Sequence, residues 1–315
     1  GSGRGLSYWT DGAAERIIYV TPGYQMVCLD ALTGRPVAGF GDKGVVDLKK
    51  EMDQEIDLDG ETPGHDIGLH ATPLVVGDVV VVGAAHLPGL SPRKAHVKGY
   101  IRGYDARTGK RLWIFHSIPR KGEFGYETWL NGSAEYTGNT GSWCQNSADP
   151  ELGLVYIGAE APTNDWYGGA RPGDNLFSES IVALDVKTGL RRWHYQTVRH
   201  GVQDRDIPCA AILCDITVHG KKIKALAQPT KQAWLYVLDR ETGKPVWPIV
   251  DRPVPKGDMP GEWYPATQPH VTKPPPFDRQ GFFEKDLIDF TPELNAEARR
   301  IVADYRIGPL FTPPS

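Results

Sequence analysis

Two acids and one cation stand out because their residue types and spacing could support acid–base chemistry. Asp204 and Asp206 are separated by one residue and precede Pro208, and Lys231 lies on a turn just before the apolar run 234–238. Loops at strand ends often carry functional residues, because the sheets beneath hold them in place. The segment therefore predicts a base and a cation on neighbouring loops. The alternative is a solvated acidic turn beside a surface lysine.

Composition limits the class of protein. Of the 315 residues, 40% are hydrophobic and 23% are charged, as in a globular protein with a large core. The net charge of −4 provides no basic field, so nucleic acid is not an expected partner. The longest apolar run, 74–87, is interrupted by Asp78 and His86 and is too short to span a membrane. The sequence has no Gly-rich phosphate loop before a helix and no CxxCH haem motif.

The four cysteines, Cys28, Cys144, Cys209 and Cys214, include no CxxC pair, which argues against a zinc ribbon or a thioredoxin motif. The last two are close enough to bridge if the chain doubles back between them. Four buried free thiols are an equal alternative, so the cysteines leave the redox compartment open.

The pattern Asp-x-x-Thr-Gly occurs four times, beginning at Asp30, Asp105, Asp185 and Asp239, each time after an apolar, β-prone run. The Asp side chain can accept hydrogen bonds from the backbone of the turn, and the Gly supplies a positive φ, so each copy predicts a strand, a tight turn and a strand. In the last three copies a tryptophan follows the Asp by eight residues, whereas the first copy has alanine there: Trp113, Trp193, Trp247 and Ala38.

Further apolar runs at 71–76, 79–83, 154–158 and 223–227 bring each unit to about four strands. The sequence therefore predicts an all-β fold of propeller blades, each of four antiparallel strands, rather than an ordinary sandwich. We expect a single partial propeller domain over 1–315, with about four blades in 1–250 and a Pro-rich excursion in 251–315. Helical periodicity appears only at 292–305, after the possible caps Asp289 and Thr291. Four blades do not close a ring, so a fragment or one half of a larger assembly is expected.

Several motifs resemble those of one known family. The Asp-x-x-Thr-Gly-x-x-x-Trp repeat is similar to the tryptophan-docking repeat of the PQQ-dependent (quinoprotein) dehydrogenases, which are eight-bladed propellers. The stretch RGLSYW at 4–9 resembles the first-blade motif of that family. IRGYD at 101–105, QPTK at 228–231 and FTPPS at 311–315 are most similar to its membrane-bound glucose dehydrogenase branch. The resemblance covers nearly the whole chain and implies about half of such a propeller.

The resemblance implies oxidation of a sugar or alcohol, in which an Asp takes the hydroxyl proton while hydride passes to C5 of the quinone. Asp204 falls at the position of this base, and an Asp side chain is ionised at neutral pH. Lys231 falls at the position of a lysine that hydrogen-bonds the quinone carbonyl and stabilises developing negative charge. Both residues are therefore predicted to be catalytic, and Lys231 is also predicted to contact the cofactor.

Three more positions match cofactor contacts of this family. Trp143 falls at the indole on which the flat quinone stacks, and Arg4 at the arginine that grips a PQQ carboxylate. His70 stands where related enzymes have a threonine that touches the cofactor. Taken without the resemblance, the same residues would be a core aromatic, a solvated arginine near the terminus and a structural histidine.

The resemblance also implies Ca²⁺ or Mg²⁺, hard cations that need oxygen ligands, and Asp204 and Glu160 are the candidates. Several positions depart from the family. Pro88 replaces a carboxylate, Ala161 replaces the asparagine of methanol dehydrogenases, and a one-residue shift to Glu160 would reverse its face on a strand. Before the base, His-Gly-Val-Gln-Asp at 200–204 replaces His-Asp-x-Trp-Asp.

Two functions follow as competing hypotheses. The first is a PQQ-dependent dehydrogenase of sugars or alcohols that passes electrons to a separate quinone or cytochrome acceptor. The second is a non-catalytic or degenerate quinoprotein-like propeller that serves as a protein-binding scaffold. Convergence of the candidate residues on one site would favour the first. The resemblance implies a periplasmic location, with membrane association open for the full-length protein, and the remaining blades or a partner chain are expected to complete the ring.

Overall fold

A computed structural model describes residues 5–54, 67–86 and 94–314, and most of their regular structure is antiparallel β-sheet. The first sheet pairs consecutive strands in chain order and is made of β1 (Ser7–Thr10), β2 (Glu15–Val20), β3 (Gln25–Asp30) and β4 (Val45–Asp47). Each strand pairs with the next, so this unit is a meander of the kind that the sequence predicts.

The next six strands are β5 (Ile67–Gly68), β6 (Leu74–Val76), β7 (Val79–Val82), β8 (Ala85–His86), β9 (Ile101–Asp105) and β10 (Arg111–Phe115). Four of them form the second sheet in the order β10-β9-β7-β6, while β5 pairs with β8. The third sheet is the meander β11 (Ser147–Asp149), β12 (Leu154–Gly158), β13 (Ser180–Asp185) and β14 (Arg191–Gln196). The segment before it contains the short 3₁₀ helices Tyr126–Thr128 and Leu130–Glu135.

The fourth sheet has three strands in the described part of the chain: β15 (Ile212–Val218), β16 (Lys221–Pro229) and β17 (Leu235–Asp239). The expected fourth strand is reduced to an isolated bridge between Leu238 and Pro245. Pro245 and Pro248 flank this stretch, and proline has no N–H to donate to a ladder, which explains why a strand does not continue there.

The Pro-rich excursion contains two small hairpins and one helix. Its elements are β18 (Ile249–Pro253) paired with β19 (Thr267–Val271), β20 (Gly281–Phe282) paired with β21 (Gly308–Pro309), the 3₁₀ helix Glu284–Asp286, and α1 (Pro292–Val302). The predicted helix begins as expected, with the Thr291 hydroxyl accepting a hydrogen bond from the backbone N–H of Leu294, and it ends three residues before Tyr305.

Each Asp-x-x-Thr-Gly copy forms the predicted tight turn. In the second copy, Oδ1 of Asp105 accepts hydrogen bonds from the backbone N–H of Thr108 at 2.7 Å and from its hydroxyl at 2.8 Å. Gly109 closes the turn with φ +73°, a left-handed conformation that favours glycine. Oδ1 of Asp30, Asp185 and Asp239 accepts the same bonds in the other three copies. Each repeat is therefore a tight turn that joins two strands through short-range contacts.

Two of the repeat tryptophans, Trp113 and Trp193, join one sheet to the next. Nε1 of Trp113 donates to the carbonyl of Val186 at 2.8 Å, and a Cβ added to Gly189 would lie 2.5 Å from the indole. Trp193 contacts the following turn in the same way, at Arg240 O and Gly243. Gly189 and Gly243 therefore serve two purposes, since each permits the positive φ and leaves room for the indole of the preceding sheet.

Apolar side chains fill the spaces between successive sheets. β7 shows this directly, because Val80 and Val82 pack into the core between the first and second sheets, whereas Val79 and Val81 pack between the second and third. A strand covered on both faces reads as a continuous apolar run. All four cysteines are free thiols. Within the described residues, no helix is long and apolar enough to cross a bilayer.

Candidate active site

The two acids lie on the loop between β14 and β15, and residues 200–206 of this loop are called the acid loop below. Its backbone is unusual, because His200 has φ +48° and Asp204 has φ +50°, conformations that side chains other than glycine rarely adopt. Such a backbone persists only where its surroundings hold it. Arg171, which is fully buried, provides part of this support by donating from Nη2 to the carbonyl of Gly201 at 2.7 Å.

Lys231 extends from the turn between β16 and β17 to both acids. Its Nζ lies 2.7 Å from Oδ1 of Asp204 and 3.2 Å from Oδ2 of Asp206. Partial burial opposes the charge, but the two carboxylates prevail and raise the pKa of Lys231 above its usual value. The ammonium group therefore stays charged throughout the physiological range.

Trp143 lies against the same group of charges. Its Nε1 donates to Oδ2 of Asp206 at 3.1 Å, and Nζ of Lys231 lies 5.9 Å from the centre of its ring. The indole is only partly buried, so some of its surface remains open to a ligand. Three segments that are distant in the chain, those of Trp143, Asp204 and Lys231, are thus brought into one site.

Asp204 and Asp206 differ in surroundings. Asp206 is buried, and its Oδ1 also accepts a hydrogen bond from the backbone N–H of Ala161 at 2.7 Å. Burial raises its pKa, against the opposing effect of Lys231. The side chain of Asp204 is 40% exposed, compared with 12% for Asp206. Asp206 therefore bonds to several groups of the site, while Asp204 is the more exposed carboxylate.

Glu160 lies directly beside Ala161 in the segment after β12. Its Oε1 accepts a hydrogen bond from the backbone N–H of Gly141 at 2.9 Å, and Nδ1 of His86 lies 3.8 Å away. Burial, followed by repulsion from Asp206, raises the pKa of Glu160 well above its usual range. Burial lowers the pKa of His86 to about 4, so this imidazole is neutral at pH 7 and does not form an ion pair with Glu160.

Asp165 is a further carboxyl group that is affected by the two acids. Burial and repulsion from Asp206 and Asp204 raise the pKa of Asp165 to about 6. Carboxylate oxygens of this kind suit a hard cation by type. Their positions do not form a metal site, because within 5–54, 67–86 and 94–314 no group of three or more His, Cys, Asp or Glu side chains is placed to hold a metal. The metal roles of Asp204 and Glu160 remain predictions.

Two further predicted cofactor contacts are Arg4 and His70. Arg4 lies outside the described residues, as does Pro88. His70 is partly buried between β5 and β6, and its role as a cofactor contact also remains a prediction.

The sequence interpretation missed a connection between the Pro-rich excursion and the acid loop. Nε2 of His200 lies 2.9 Å from Oε1 of Glu262, and both side chains are almost completely buried. Glu262 also accepts a hydrogen bond from the backbone N–H of Gly168 at 2.6 Å. Burial lowers the pKa of His200, whereas hydrogen bonds from His200 and Gly168 lower that of Glu262 despite its burial. No local pattern marks Glu262, since its partner is 62 residues away.

Comparison with known protein families gives a match over the full length. Residues 1–315 match the family model described as the PQQ glucose/ethanol/alcohol dehydrogenase β-propeller domain.

Individual relatives agree with this match. The chain is 35% identical to the glycerol dehydrogenase large subunit of Gluconobacter oxydans, across 99% of this chain and 42% of that protein. It is 31% identical to a quinoprotein glucose dehydrogenase of Escherichia coli, across 96% of this chain and 36% of that protein. Among solved structures, a quinohemoprotein alcohol dehydrogenase of Pseudomonas putida superposes with a TM-score of 0.62 at 29% identity, covering 79% of this chain and 35% of that one. The chain thus spans about two-fifths of the length of its curated relatives.

Proposed function

Because the chain belongs to the PQQ glucose/ethanol/alcohol dehydrogenase β-propeller family, we propose that the full-length protein oxidises a hydroxyl group of a sugar or alcohol, with PQQ as the hydride acceptor. The observation that supports this best is the meeting of Asp204, Lys231 and Trp143 in one site. A base, a cation and a partly open aromatic surface are the groups that such a reaction needs, and three separate segments supply them.

Asp204 is the proposed general base. Its carboxylate is the more exposed of the two acids, and the acid loop holds it in a conformation that it would not adopt freely. A carboxylate held at a substrate hydroxyl accepts the proton as the carbon–hydrogen bond is broken. Asp206, which is bonded to Trp143, Lys231 and Ala161, keeps the surrounding groups in position.

The residues present fit PQQ, a flat quinone with carboxylates. The indole of Trp143 would contact the ring face, and the ammonium group of Lys231 would donate to a quinone oxygen and oppose negative charge there. Arg4 would bind a carboxylate of the cofactor. When bound, PQQ supplies the electron-accepting carbonyl chemistry that side chains lack.

Ca²⁺ or Mg²⁺ forms part of the proposal only as a cation bound by the carboxylates. The raised pKa values of Glu160 and Asp165 show that negative charge is unfavourable in this region, so a cation there would stabilise both. No catalytic step is assigned to the metal. Asp204 and Glu160 are the proposed contacts, and the remaining oxygen ligands are not identified among the described residues.

The chain covers 42% of the Gluconobacter glycerol dehydrogenase subunit, so the properties of the whole protein are part of the same proposal. These are a sugar or alcohol substrate, a separate quinone or cytochrome acceptor, completion of the ring by further blades or a partner chain, and a periplasmic location. The alternative of a non-catalytic scaffold is not favoured, since a scaffold has no need of an exposed carboxylate bridged by a lysine to a second, buried one.

The test is reconstitution of the full-length protein with PQQ and either Ca²⁺ or Mg²⁺, followed by dye reduction over a panel of sugars and alcohols. We expect activity with at least one substrate and loss of most of it in Asp204→Asn. Asp304→Asn, which replaces an exposed acid after α1, is the matched control. No cofactor spectrum and no dye reduction with either metal would rule out the enzyme.

A further inference from the structure

Gly201 of the acid loop lies against a carboxyl group that belongs to another element. A Cβ added to Gly201 would lie 1.9 Å from Oε2 and 2.2 Å from Oε1 of Glu179. Those distances are far inside van der Waals contact, so the Glu179 carboxyl occupies the volume that a side chain at position 201 would take. Glu179 is fully buried and directly precedes β13.

The two residues are complementary in shape. Glycine at position 201 leaves free the volume that the Glu179 carboxyl takes, and Glu179 reaches it from the turn directly before β13. Together they place one carboxyl group against the backbone of the acid loop.

We propose that Glu179 is a positioning residue, which supplies from the turn before β13 the carboxyl group that holds the acid loop and thereby orients Asp204 towards Lys231. The proposal rests on the proposed function in so far as orientation of Asp204 matters for catalysis. The packing relationship between positions 179 and 201 stands independently of it.

The hydrogen bonds of Glu179 show how it acts. Its Oε1 accepts a bond from the backbone N–H of Arg205 at 3.2 Å, which fixes the peptide unit directly after Asp204. Its own backbone is anchored on the sheet side, because the N–H and hydroxyl of Thr197 both donate to its carbonyl, at 2.9 and 2.6 Å. Glu179 has φ +44°, so its own backbone is also held in the left-handed region.

Charged groups surround the Glu179 carboxyl, and they are Arg171, Arg205 and Asp206. Burial, with repulsion from Asp206, raises the pKa of Glu179 in spite of the two arginines. Oε2 has no hydrogen-bond partner among the described atoms, so the contact with the acid loop is made through Oε1.

A reciprocal exchange tests the proposal in the full-length protein. Gly201→Asp alone puts two carboxyl groups into one volume, and we expect a lower Tm and a loss of kcat of roughly 10- to 100-fold, because misplacement of a reacting group by about 1 Å has that effect. Glu179→Ala alone should lower kcat similarly. The double variant again has one carboxyl group in this volume, so it should recover both Tm and kcat. A double-mutant cycle then measures the interaction between positions 179 and 201. Gly39→Asp, at a glycine with open space around its Cβ position, is the control.

Two outcomes overturn the proposal. One is a double variant no better than Gly201→Asp in Tm and in kcat. The other concerns Glu179→Gln, which keeps the shape and the acceptor oxygen. It should retain near-normal kcat, in contrast to Glu179→Ala, and a loss of kcat in Glu179→Gln as large as that in Glu179→Ala contradicts a positioning role. If the wild-type protein shows no activity, recovery of Tm in the double variant still supports the packing relationship, so the two proposals fail separately.

Discussion

Nζ of Lys231 lies 2.7 Å from Oδ1 of Asp204, although the two residues are 27 positions apart and lie on loops at the ends of different sheets. The contact joins the loop after the third sheet to a turn of the fourth. This ion pair forms only when both loops are correctly positioned, so the packing of the third sheet against the fourth determines the distance between Asp204 and Lys231.

Replacing Lys231 by Met should keep much of the side-chain volume but remove the charge between Asp204 and Asp206. We expect kcat of the PQQ-loaded protein to fall by roughly 10²- to 10³-fold, as for loss of a group that stabilises developing charge. Lys231→Arg keeps the charge and should retain more activity. Dye-linked kinetics with Lys110→Met, at an exposed turn lysine, as control will check this. Equal activity of Lys231→Met and wild type would contradict the assigned role.

The two acids should differ when each is replaced by asparagine. Asp204→Asn should lower kcat by roughly 10²- to 10⁴-fold, the usual contribution of a general base. Asp206→Asn should act on binding more than on the chemical step, because Asp206 holds Trp143 and the backbone of Ala161. Comparison of kcat and KM for both variants separates the two effects. A larger loss of kcat in Asp206→Asn than in Asp204→Asn would reverse the assignment.

Trp143 should matter for cofactor affinity. An aromatic pair contributes about 0.5–1.5 kcal/mol beyond buried area, so Trp143→Phe should weaken PQQ binding by only a few fold and Trp143→Ala by more than about tenfold. Calorimetric titration of PQQ into the cofactor-free full-length protein measures both. Phe290→Ala, which changes an aromatic residue that is 83% exposed, is the control. Unchanged affinity in Trp143→Ala would exclude stacking on this indole.

Asp165 gives a pH dependence of stability with a defined sign. Its pKa of about 6 in the folded protein exceeds that of an ordinary aspartate, so between pH ~4 and 6 the folded state keeps a proton that the unfolded state has released. The contribution of Asp165 to the free energy of unfolding is therefore complete below pH ~4 and is lost as the pH rises to 6. Because the side chain is partly exposed, we expect this loss to be about 2 kcal/mol or less. Thermal unfolding from pH 4 to 7 should show a smaller decline in Asp165→Asn than in wild type. An identical decline in both proteins would contradict the raised pKa.

The tryptophan contacts between sheets should dominate stability. Trp193 is buried, and its indole donates to the carbonyl of Arg240. Trp193→Ala should lower the free energy of unfolding by about 3–5 kcal/mol, as for large-to-small changes in a core. Gly243→Ala should destabilise as well, since its Cβ would lie 2.6 Å from that indole. Leu190→Ala, at a side chain that is 67% exposed, should leave Tm almost unchanged.

Much of the architecture could be predicted from sequence because it is encoded locally. The turn at Asp105 needs only residues within four positions of each other, and so do its three equivalents. A local pattern also marks the capped start of α1. The all-β class and the repeated blades follow from these short-range rules together with the apolar runs between them.

What only the tertiary structure decided lies in contacts between distant segments. Glu262 lies 62 residues from His200, and the Glu179 carboxyl, from the turn directly before β13, fills the space beside Gly201. Asp204 and Asp206 have the same side chain and are separated by one residue, so the sequence alone does not distinguish their roles. The difference arises because Asp206 is buried and Asp204 is more exposed. Composition and periodicity determine which strands form. The packing of sheets decides which side chains meet, because hydrogen bonds and repulsion depend on distances in space.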